Sequence, residues 1–414
     1  MLRTGRLYYG WVIVLTLCVT ETTSWGILYY AYSVFIQPME AELGWSRAEM
    51  TGAFSVALLI TGLAALPAGY ILDRYGSRGL MTGGSVLGVA MLLAWSQVQS
   101  LTVFYIILVG VGLASAATLY TPAFATIVSW FVHQRRQAVI TLTLAAGFAS
   151  TIFIPLAQFL VEQQGWRGAL VSLAVVLGAL TIPAHGLLLR KAPAVLNEPP
   201  GRSTTPAMTS KPRVDVTPVE AIRQWRFWLF MLALAIHTFT STAMTVHMVP
   251  FMTESGMSGA FAASIAGLAG LMSFPTRLIY SFVGNRISQK NAMVGIYCIE
   301  IISLIVMLGA RTEVLFIIYG VCFGIARSAP SPVLANLIAD LYGVTYYGTI
   351  SAYVSLASTL AGSASPVISG ALRDASGGYS EVLVILLLLG VAGAVCINIA
   401  LTGTQAQQTS PSKA

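Results

Sequence analysis

Charged residues are scarce in this chain. Of its 414 residues, 9% are Asp, Glu, Lys or Arg and 56% are hydrophobic, whereas a soluble domain is about 25% charged. This is too little charge to cover a water-soluble globule of this size, so the composition predicts an integral membrane protein. The net charge of +7 does not indicate nucleic-acid binding, because the basic residues lie in short loops between apolar runs.

Cysteine is scarce too, and its placement excludes two kinds of site. Cys18, Cys298, Cys322 and Cys396 lie in apolar runs without paired spacing, so neither a disulfide framework nor a metal site is predicted. We interpret the four as helix-packing residues. The chain also lacks a Walker phosphate loop and any constellation of nucleophile, base or metal ligands, which argues against an ATP-driven pump and an enzyme. No cofactor is predicted.

Long apolar runs dominate what is present. A membrane-spanning helix needs about 20 mostly apolar residues, and this criterion predicts an all-α membrane protein with twelve transmembrane helices. The predicted helices cover residues 9–38, 47–72, 79–97, 102–130, 137–161, 168–190, 226–253, 260–285, 291–310, 313–339, 346–372 and 380–402. The first run begins like a signal peptide, but it exceeds the ~7–15 apolar residues of a signal core, so we expect it to be retained as helix 1.

The basic residues predict the orientation. With both termini in the cytoplasm, sixteen of the 22 Lys and Arg residues fall inside and four fall outside, at Arg47, Arg167, Arg311 and Arg373. Cytoplasmic loops carry such an excess of positive charge. We therefore expect a multi-pass protein of the plasma membrane, in the bacterial inner membrane, with both termini inside, and we expect it to be a monomer.

Four domain segments follow from these runs. Residues 1–190 and 226–402 are predicted as two six-helix bundles, and residues 403–414 as a disordered tail. Between the bundles, residues 191–225 are rich in Pro, Ser and Thr and are predicted as a flexible cytoplasmic linker. This linker ends in Thr217-Pro-Val-Glu220, a capping-box pattern that predicts a short surface helix.

A charged stretch, GYILDRYGSR from Gly69 to Arg78, separates the second and third predicted helices. Gly69 permits close helix packing, and Asp73 can meet the positive end of a neighbouring helix. The stretch resembles the G-x-L-x-D-R-x-G-R-K loop of the major facilitator superfamily, and SFVGNRISQK at 281–290 resembles a weaker second copy with Asn in place of the acid. Two copies imply the parallel repeat of that superfamily, with two bundles related by a pseudo-two-fold axis along the membrane normal. The predicted conformational hinge consists of Gly69, Asp73, Arg74, Gly76, Arg78, Asn285 and Arg286.

Five further stretches are similar to the monocarboxylate porter family, which includes exchangers of the oxalate/formate type. They are YYGWVIV in helix 1, ELGWSRAEM before helix 2, GWR at 165–167, FW at 227–228 and SPVISGALRDASGGY at 365–379. The resemblance implies transport of small carboxylates by rocking of two bundles about a midplane site. The chain has Tyr29 and Tyr30 where vertebrate-type members carry a Lys in helix 1, and Ser273 where they carry an Asp in helix 8. The Lys that oxalate exchangers carry in helix 11 has no counterpart in residues 348–358.

Ionisable residues inside apolar runs are the main site candidates. Each costs roughly 2.5–3.5 kcal/mol at the bilayer centre unless it is paired or hydrated. Arg277, in helix 8, falls where the family places its carboxylate-binding Arg, and a guanidinium can bind a carboxylate through two parallel hydrogen bonds. A structural ion pair, or a side chain that snorkels toward the cytoplasm, is the alternative.

Arg327 lies in helix 10, just before Pro330 and Pro332, which are expected to interrupt the helix. A second cation beside the site would suit a dicarboxylate or a carboxylate with another polar group. Neutralisation of an acid such as Glu21 is the equal alternative.

Glu21 lies near the middle of helix 1, among Thr20, Thr22 and Thr23. Burial favours the neutral form of a carboxyl, so Glu21 is a candidate for proton coupling, with an ion pair to an Arg as the alternative. Tyr32 shares its helix face. Glu300, in helix 9, is interpreted as a protonated or interfacial residue outside the site, because helix 9 lies on the periphery of the family's fold.

Two histidines and several tyrosines complete the candidates. His237 and His247 are ten residues apart on helix 7, which is not the four-residue spacing of a two-His metal face. His237 is a second proton-coupling candidate, although structural roles are more frequent for a lone His. The remaining substrate-binding candidates have packing roles as their alternative. They are Tyr29, Tyr32, Tyr120, His247 and Tyr353.

These observations predict a secondary active transporter of small organic anions, in particular monocarboxylates, that works by alternating access with proton coupling as one option. Its expected partners are the carboxylate, protons and the lipid bilayer. Three alternatives remain open: an exchanger of dicarboxylates or monocarboxylates, a drug or cation exporter of the same superfamily, and a membrane sensor that binds without transport. An exporter of cations would favour acids in its cavity, whereas Arg277 and Arg327 outnumber Glu21 in the central helices.

Overall fold

The structure, a computed structural model, describes residues 8–192, 215–283 and 286–407. The described residues are almost entirely helical and contain no strand, which confirms the all-α class. They fall into two compact units. Unit 1 takes the residues up to Asp215 together with Tyr342–Ser355, and unit 2 takes Val216–Leu341 together with Leu356 onward.

Unit 1 holds the first eight helices. They are α1 (Tyr9–Trp25), α2 (Tyr32–Leu43), α3 (Arg47–Tyr75), α4 (Ser77–Ser96), α5 (Leu101–Thr118), α6 (Tyr120–Trp130), α7 (Arg135–Ala146) and α8 (Ala149–Pro183). Two π-helical segments, Gly26–Tyr30 and Ala184–Leu188, continue α1 and α8. Helix α8 contains a break at Gly165, whose φ of 69° lies in the left-handed region that favours glycine.

Nine further helices follow. They are α9 (Pro218–Arg223), α10 (Trp225–Glu254), α11 (Gly259–Leu271), α12 (Ser273–Val283), α13 (Gln289–Gly309), α14 (Glu313–Ser328), α15 (Pro330–Tyr342), α16 (Tyr347–Ser376) and α17 (Ser380–Gln407). Helix α16 begins in unit 1 and continues past Leu356 in unit 2.

The twelve predicted transmembrane helices are present. Within the described ranges, nine helical segments are long and apolar enough to cross a membrane, and one of them, Arg135–Leu188, contains two predicted helices separated at Gly165. The other two predicted helices, 260–285 and 346–372, correspond to the pair α11 and α12 and to α16. The predicted interruption of helix 10 is also present, because α14 ends at Ser328 and α15 begins at Pro330. Helix 4 has a similar break at Leu119 that the sequence did not predict.

Helix α17 continues to Gln407 and so includes residues 403–407 of the predicted tail. One more turn of helix satisfies the backbone groups of this polar stretch even though it offers little apolar surface. The rest of the predicted tail and residues 193–214 of the predicted linker lie outside the described residues.

The short helix predicted at the end of the linker is α9. Thr217 Oγ1 accepts a hydrogen bond from Glu220 N, and Glu220 Oε2 accepts one from Thr217 N at 2.8 Å. These bonds from Thr217 to the carboxylate hold the pKa of Glu220 below its ordinary value. Both parts of the capping box are therefore formed.

Glycines allow close helix contacts in both units, as expected for membrane helices. A Cβ atom on Gly112 of α5 would lie 2.5 Å from the carbonyl oxygen of Ala57 in α3. A Cβ atom on Gly324 of α14 would lie 2.4 Å from the carbonyl oxygen of Ala269 in α11. These two glycines therefore allow neighbouring helices to pack backbone against backbone.

Arg167, in the GWR stretch, joins three elements of unit 1 beside the break at Gly165. Its guanidinium donates to the carbonyl oxygens of Ser96 and Val98 at 2.8 and 2.9 Å, and to Glu42 Oε1 at 3.0 Å. Carbonyl groups at a helix C-terminus have no partner within the helix. Arg167 therefore caps the end of α4 and holds it to α2.

Candidate functional site

Asp73, near the end of α3, binds the N-terminus of α16. Its Oδ1 accepts a hydrogen bond from Gly348 N at 2.8 Å, and its Oδ2 accepts bonds from Thr349 N at 2.8 Å and Thr349 Oγ1 at 2.7 Å. A carboxylate is favoured at the positive end of a helix. The contact predicted for Asp73 with a helix terminus is present, and we call these three residues the Asp73 latch.

Gly69 makes the latch sterically possible. A Cβ atom on Gly69 would lie 2.5 Å from the carbonyl oxygen of Gly348, and one on Gly348 would lie 2.6 Å from Asp73 Oδ1. The backbones of α3 and the start of α16 therefore touch directly. The sequence pattern indicated that a glycine is needed at position 69, but it did not indicate that the backbone of Gly348 packs against it.

The other predicted hinge residues surround the latch or lie elsewhere. Gly76, with φ of 86°, forms the turn between α3 and α4. Arg74 is exposed and donates to the hydroxyl of Tyr70 at 3.0 Å, and Arg78 is also exposed. In the second copy, Arg286 is exposed in the turn after α12. Asn285 lies outside the described residues.

Glu21 is fully buried in α1, with an exposed fraction of 0%. No described residue donates a hydrogen bond to either carboxylate oxygen, and the buried Ser24 Oγ and Trp25 Nε1 also lack a partner. The Trp25 indole interacts electrostatically with the Glu21 carboxyl without reaching hydrogen-bond geometry. One turn of α1 thus carries four buried polar atoms that remain unsatisfied.

An aromatic cluster continues from this turn. The ring of Trp25 lies 5.2 Å from that of Tyr29, 6.3 Å from that of Tyr30 and 5.0 Å from that of Tyr120, measured between centroids. Tyr120 begins α6 directly after the break at Leu119 and stacks on Phe124 at 4.9 Å. The structure therefore brings together Tyr29 and Tyr120, two predicted substrate-binding residues, near Glu21.

Tyr32 is placed differently from its neighbours. Its ring stacks on Phe54 at 4.3 Å, and its buried hydroxyl donates to the carbonyl oxygen of Met50 at 2.6 Å. A substrate would have to compete with this bond. Tyr353 is half-buried on the part of α16 that belongs to unit 1.

The two arginine candidates lie on neighbouring helices of unit 2, because α12 packs against α14. Arg277 is half-buried in α12. Arg327 is exposed in the last turn of α14, immediately before the break at Ala329. Unit 2 therefore presents one partly desolvated guanidinium and one at the end of a broken helix.

His247, on α10, is held by both ring nitrogens within unit 2. Nε2 lies 3.1 Å from the carbonyl oxygen of Pro366, and Nδ1 lies 3.1 Å from the hydroxyl of Tyr379. A carbonyl oxygen can only accept, so Nε2 donates to Pro366, and Nδ1 and the Tyr379 hydroxyl form the second hydrogen bond. Substrate can reach this ring only by displacing one of these bonds.

His237 and Glu300 form a buried pair. His237 Nδ1 lies 2.8 Å from Glu300 Oε2, and the ring of Tyr297 lies 5.6 Å from the His237 ring. Glu300 is 2% exposed, so it is buried within unit 2. Helix α17 packs on both α10 and α13 and covers the pair. The sequence had not paired these residues, because they are 63 positions apart.

The pair yields a stability prediction. We expect Glu300→Leu and His237→Leu each to destabilise the protein by about 3–5 kcal/mol, because each leaves one buried polar partner uncompensated. The double variant should recover most of this loss. Thermal unfolding of all three variants in detergent tests the prediction. If the losses of stability in the two single variants simply add up in the double variant, the prediction is wrong. A separate variant, Glu300→Gln, tests for proton coupling. A changed pH profile of transport at unchanged stability would assign the pair to that role.

Comparison with known proteins gives one family. The model of the family described as Major Facilitator Superfamily matches residues 17–310 and 238–414. Monocarboxylate transporter 13 of Bos taurus is 24% identical over 391 residues, which cover 93% of this chain and 88% of that protein. The oxalate:formate antiporter of Oxalobacter formigenes is 22% identical over 368 residues, 86% of this chain and 84% of that protein.

A solved structure is similar over nearly the whole chain. The crystal structure of the transporter FucP in the outward conformation superimposes with a TM-score of 0.74 at 14% identity, covering 95% of this chain and 99% of that one. At this identity the similarity concerns the fold alone.

Proposed function

Because this chain belongs to the major facilitator superfamily and is therefore a membrane transporter rather than an enzyme, we propose that it carries small organic anions, in particular monocarboxylates, by alternating access. The observation that carries the proposal is Arg277, a half-buried guanidinium in the middle of α12. The guanidinium of Arg277 can donate two parallel, charge-assisted hydrogen bonds to a carboxylate.

Two of the relatives support the same substrate class, since their names describe transport of monocarboxylates and exchange of oxalate for formate. Exchange is the second candidate. Arg327 favours it, because a second guanidinium on α14, which packs against α12, suits a substrate with two anionic groups. A cation exporter and a sensor without transport are the remaining alternatives.

The Asp73 latch is our candidate for the conformational hinge. Its hydrogen bonds hold the first turn of α16 against α3, and they must open if this turn moves. With both termini in the cytoplasm, as the distribution of basic residues predicts, the latch lies on the cytoplasmic side of a multi-pass plasma-membrane protein.

Uptake by the purified protein in lipid vesicles tests the proposal. Radiolabelled formate, acetate, propionate, butyrate and oxalate are offered with and without an inward proton gradient, and with and without internal substrate. We expect saturable uptake of at least one monocarboxylate. Failure of every carboxylate to be transported or to compete would overturn the proposal.

Glu21 is the candidate residue for proton coupling. Glu21 is fully buried and accepts no hydrogen bond from the described part of the chain. An ionised carboxylate in such a place is costly, so a positive charge or a proton has to accompany it. We expect Glu21→Gln to abolish stimulation by a proton gradient while exchange of substrate for substrate continues. Both rates can be measured in the same vesicles, and gradient-driven uptake that persists in Glu21→Gln would exclude this role.

A further inference from the structure

One turn of α1 has the composition of a binding site rather than of a packed core. Both Glu21 oxygens, Ser24 Oγ and Trp25 Nε1 are buried and form no hydrogen bond with any residue that the structure describes. The large majority of buried polar atoms in folded proteins are hydrogen-bonded. Glu21 is 0% and Ser24 is 1% exposed. Three of the four atoms are oxygens that can accept a hydrogen bond.

The backbone beside this turn is also unusual. The α-helix gives way to a π-helical segment at Gly26–Tyr30, directly after Trp25. Such segments are rare and occur frequently at functional sites. A Cβ atom on Gly26 would meet the ring of Phe153, so α8 lies close against this point.

Aromatic faces surround the same turn. The rings of Tyr29, Tyr30 and Tyr120 lie 5.0–6.3 Å from that of Trp25, and all four residues are partly exposed. A cationic nitrogen is attracted to the faces of Trp and Tyr rings. Unpartnered acceptor oxygens combined with such faces form the usual environment of an alkylammonium group.

We call Trp25, Tyr29, Tyr30 and Tyr120 the Trp25 cluster. We infer that Glu21, Ser24 and the Trp25 cluster bind a cationic nitrogen of the substrate. The preferred substrates are then small carboxylates that also carry an ammonium group. This inference rests on the proposed function in one respect, that the substrate carries a carboxylate. The residues that bind the nitrogen all lie in unit 1.

The charge of Glu21 bears differently on a plain monocarboxylate and on an aminocarboxylate. A plain monocarboxylate brings no positive charge, so a proton has to neutralise Glu21 while that substrate is carried. An aminocarboxylate brings its own cation, so it needs no coupled proton. The two classes should therefore differ in their dependence on a proton gradient as well as in affinity.

Matched pairs of substrates provide the test, because an ammonium group and a methyl group have nearly the same shape. The pairs are aminoacetate with propionate, 3-aminopropionate with butyrate, and 4-aminobutyrate with pentanoate. The three lengths vary the spacing between carboxylate and nitrogen. Uptake of each compound into vesicles that contain the purified wild-type protein is measured without a gradient, with a proton gradient and with a sodium gradient.

In at least one pair, we expect the ammonium compound to be taken up about tenfold faster or more without a gradient. Its methyl partner should require the proton gradient. Glu21→Gln should remove the preference, and Trp25→Leu should reduce it. Glu49→Gln is the matched control, because Glu49 is an exposed acid of unit 1 whose capping box also accepts Gln. This control should retain the preference.

Four outcomes would overturn the inference. Two concern the wild-type protein: equal uptake of both members of every pair, and uptake of the methyl members alone. The other two concern Glu21→Gln: a preference for the ammonium compound that survives in this variant, and sodium-driven uptake that this variant abolishes. The last outcome would assign Glu21 to sodium binding. The wild-type comparison stands even if a variant does not fold. If no carboxylate of either kind is carried, the proposed function has failed, and transport of an amine without a carboxylate would indicate the cation exporter instead.

Discussion

Replacing Arg277 by Lys is expected to raise the dissociation constant for a monocarboxylate by about 10- to 100-fold. A guanidinium forms two parallel charge-assisted hydrogen bonds with a carboxylate, whereas an ammonium acts as a point charge. Loss of one such bond costs about 1.5–3 kcal/mol, and 1.4 kcal/mol corresponds to a tenfold change in affinity. Half-burial in α12 strengthens the effect because it limits competition from water.

Binding of substrate to the purified variant in detergent measures this change directly. Arg286→Lys is the matched control, since Arg286 is exposed in the turn that follows α12 and the chemical change is identical. Arg327→Lys separates the two guanidinium groups. If Arg277→Lys leaves the affinity unchanged but lowers the unfolding temperature, Arg277 has a structural role.

Replacing Asp73 by Asn is expected to slow transport by about tenfold or more. The amide retains one acceptor oxygen but places an NH2 group against a backbone N–H group, so at least one of the charge-assisted bonds to Gly348 and Thr349 is lost. Such a bond contributes about 1.5–3 kcal/mol. The latch stabilises the state in which α16 begins against α3, and its loss shifts the conformational equilibrium by that amount.

Two measurements separate a shifted equilibrium from simple unfolding. Hydrogen exchange should become faster at the amides of Gly348 and Thr349 in Asp73→Asn while the middle of α16 stays protected. Initial uptake rates are compared at equal protein content in the vesicles. Glu220→Gln is the control, because Glu220 also accepts a backbone hydrogen bond, but from an exposed position in the six-residue helix α9. Unchanged exchange and uptake in Asp73→Asn would refute the role of the latch.

Gly69→Ala tests the role of the Asp73 latch independently of the charge of Asp73. The added Cβ would stand 2.5 Å from the Gly348 carbonyl oxygen, so α3 and α16 would have to separate. The charge of Asp73 is retained in this variant. Its transport defect should resemble that of Asp73→Asn if the close contact matters.

Local features of the fold could be predicted because they depend on short stretches of chain. The twelve helices follow from the length of the apolar runs, and the capping box of α9 follows from four consecutive residues, Thr217 to Glu220. The break before Pro330 follows from the missing N–H of proline. The break at Leu119 was missed, although Pro122 lies nearby as a possible signal.

Site residues were predicted individually but not in their groupings. The sequence marked Glu21, Tyr29 and Tyr120 separately, and the structure adds Trp25, Tyr30 and Ser24 and joins them. Trp25 and Ser24 gave no signal of their own, because an aromatic residue and a serine are ordinary members of a membrane helix. Their lack of partners becomes visible only when the surrounding helices are in place.

The sequence by itself determined that this protein spans a membrane, where its helices lie and that residues 69–78 resemble a loop motif of the superfamily. The tertiary structure alone decided which residues meet: Asp73 with Gly348, 275 positions away, and His237 with Glu300. The reason is that lipid is as apolar as a protein core, so a membrane helix need not hide its apolar face. In α16, Val367 is 73% exposed while Ser365 is 0% exposed. Hydrophobic periodicity therefore identifies such a helix without showing which side faces its neighbours.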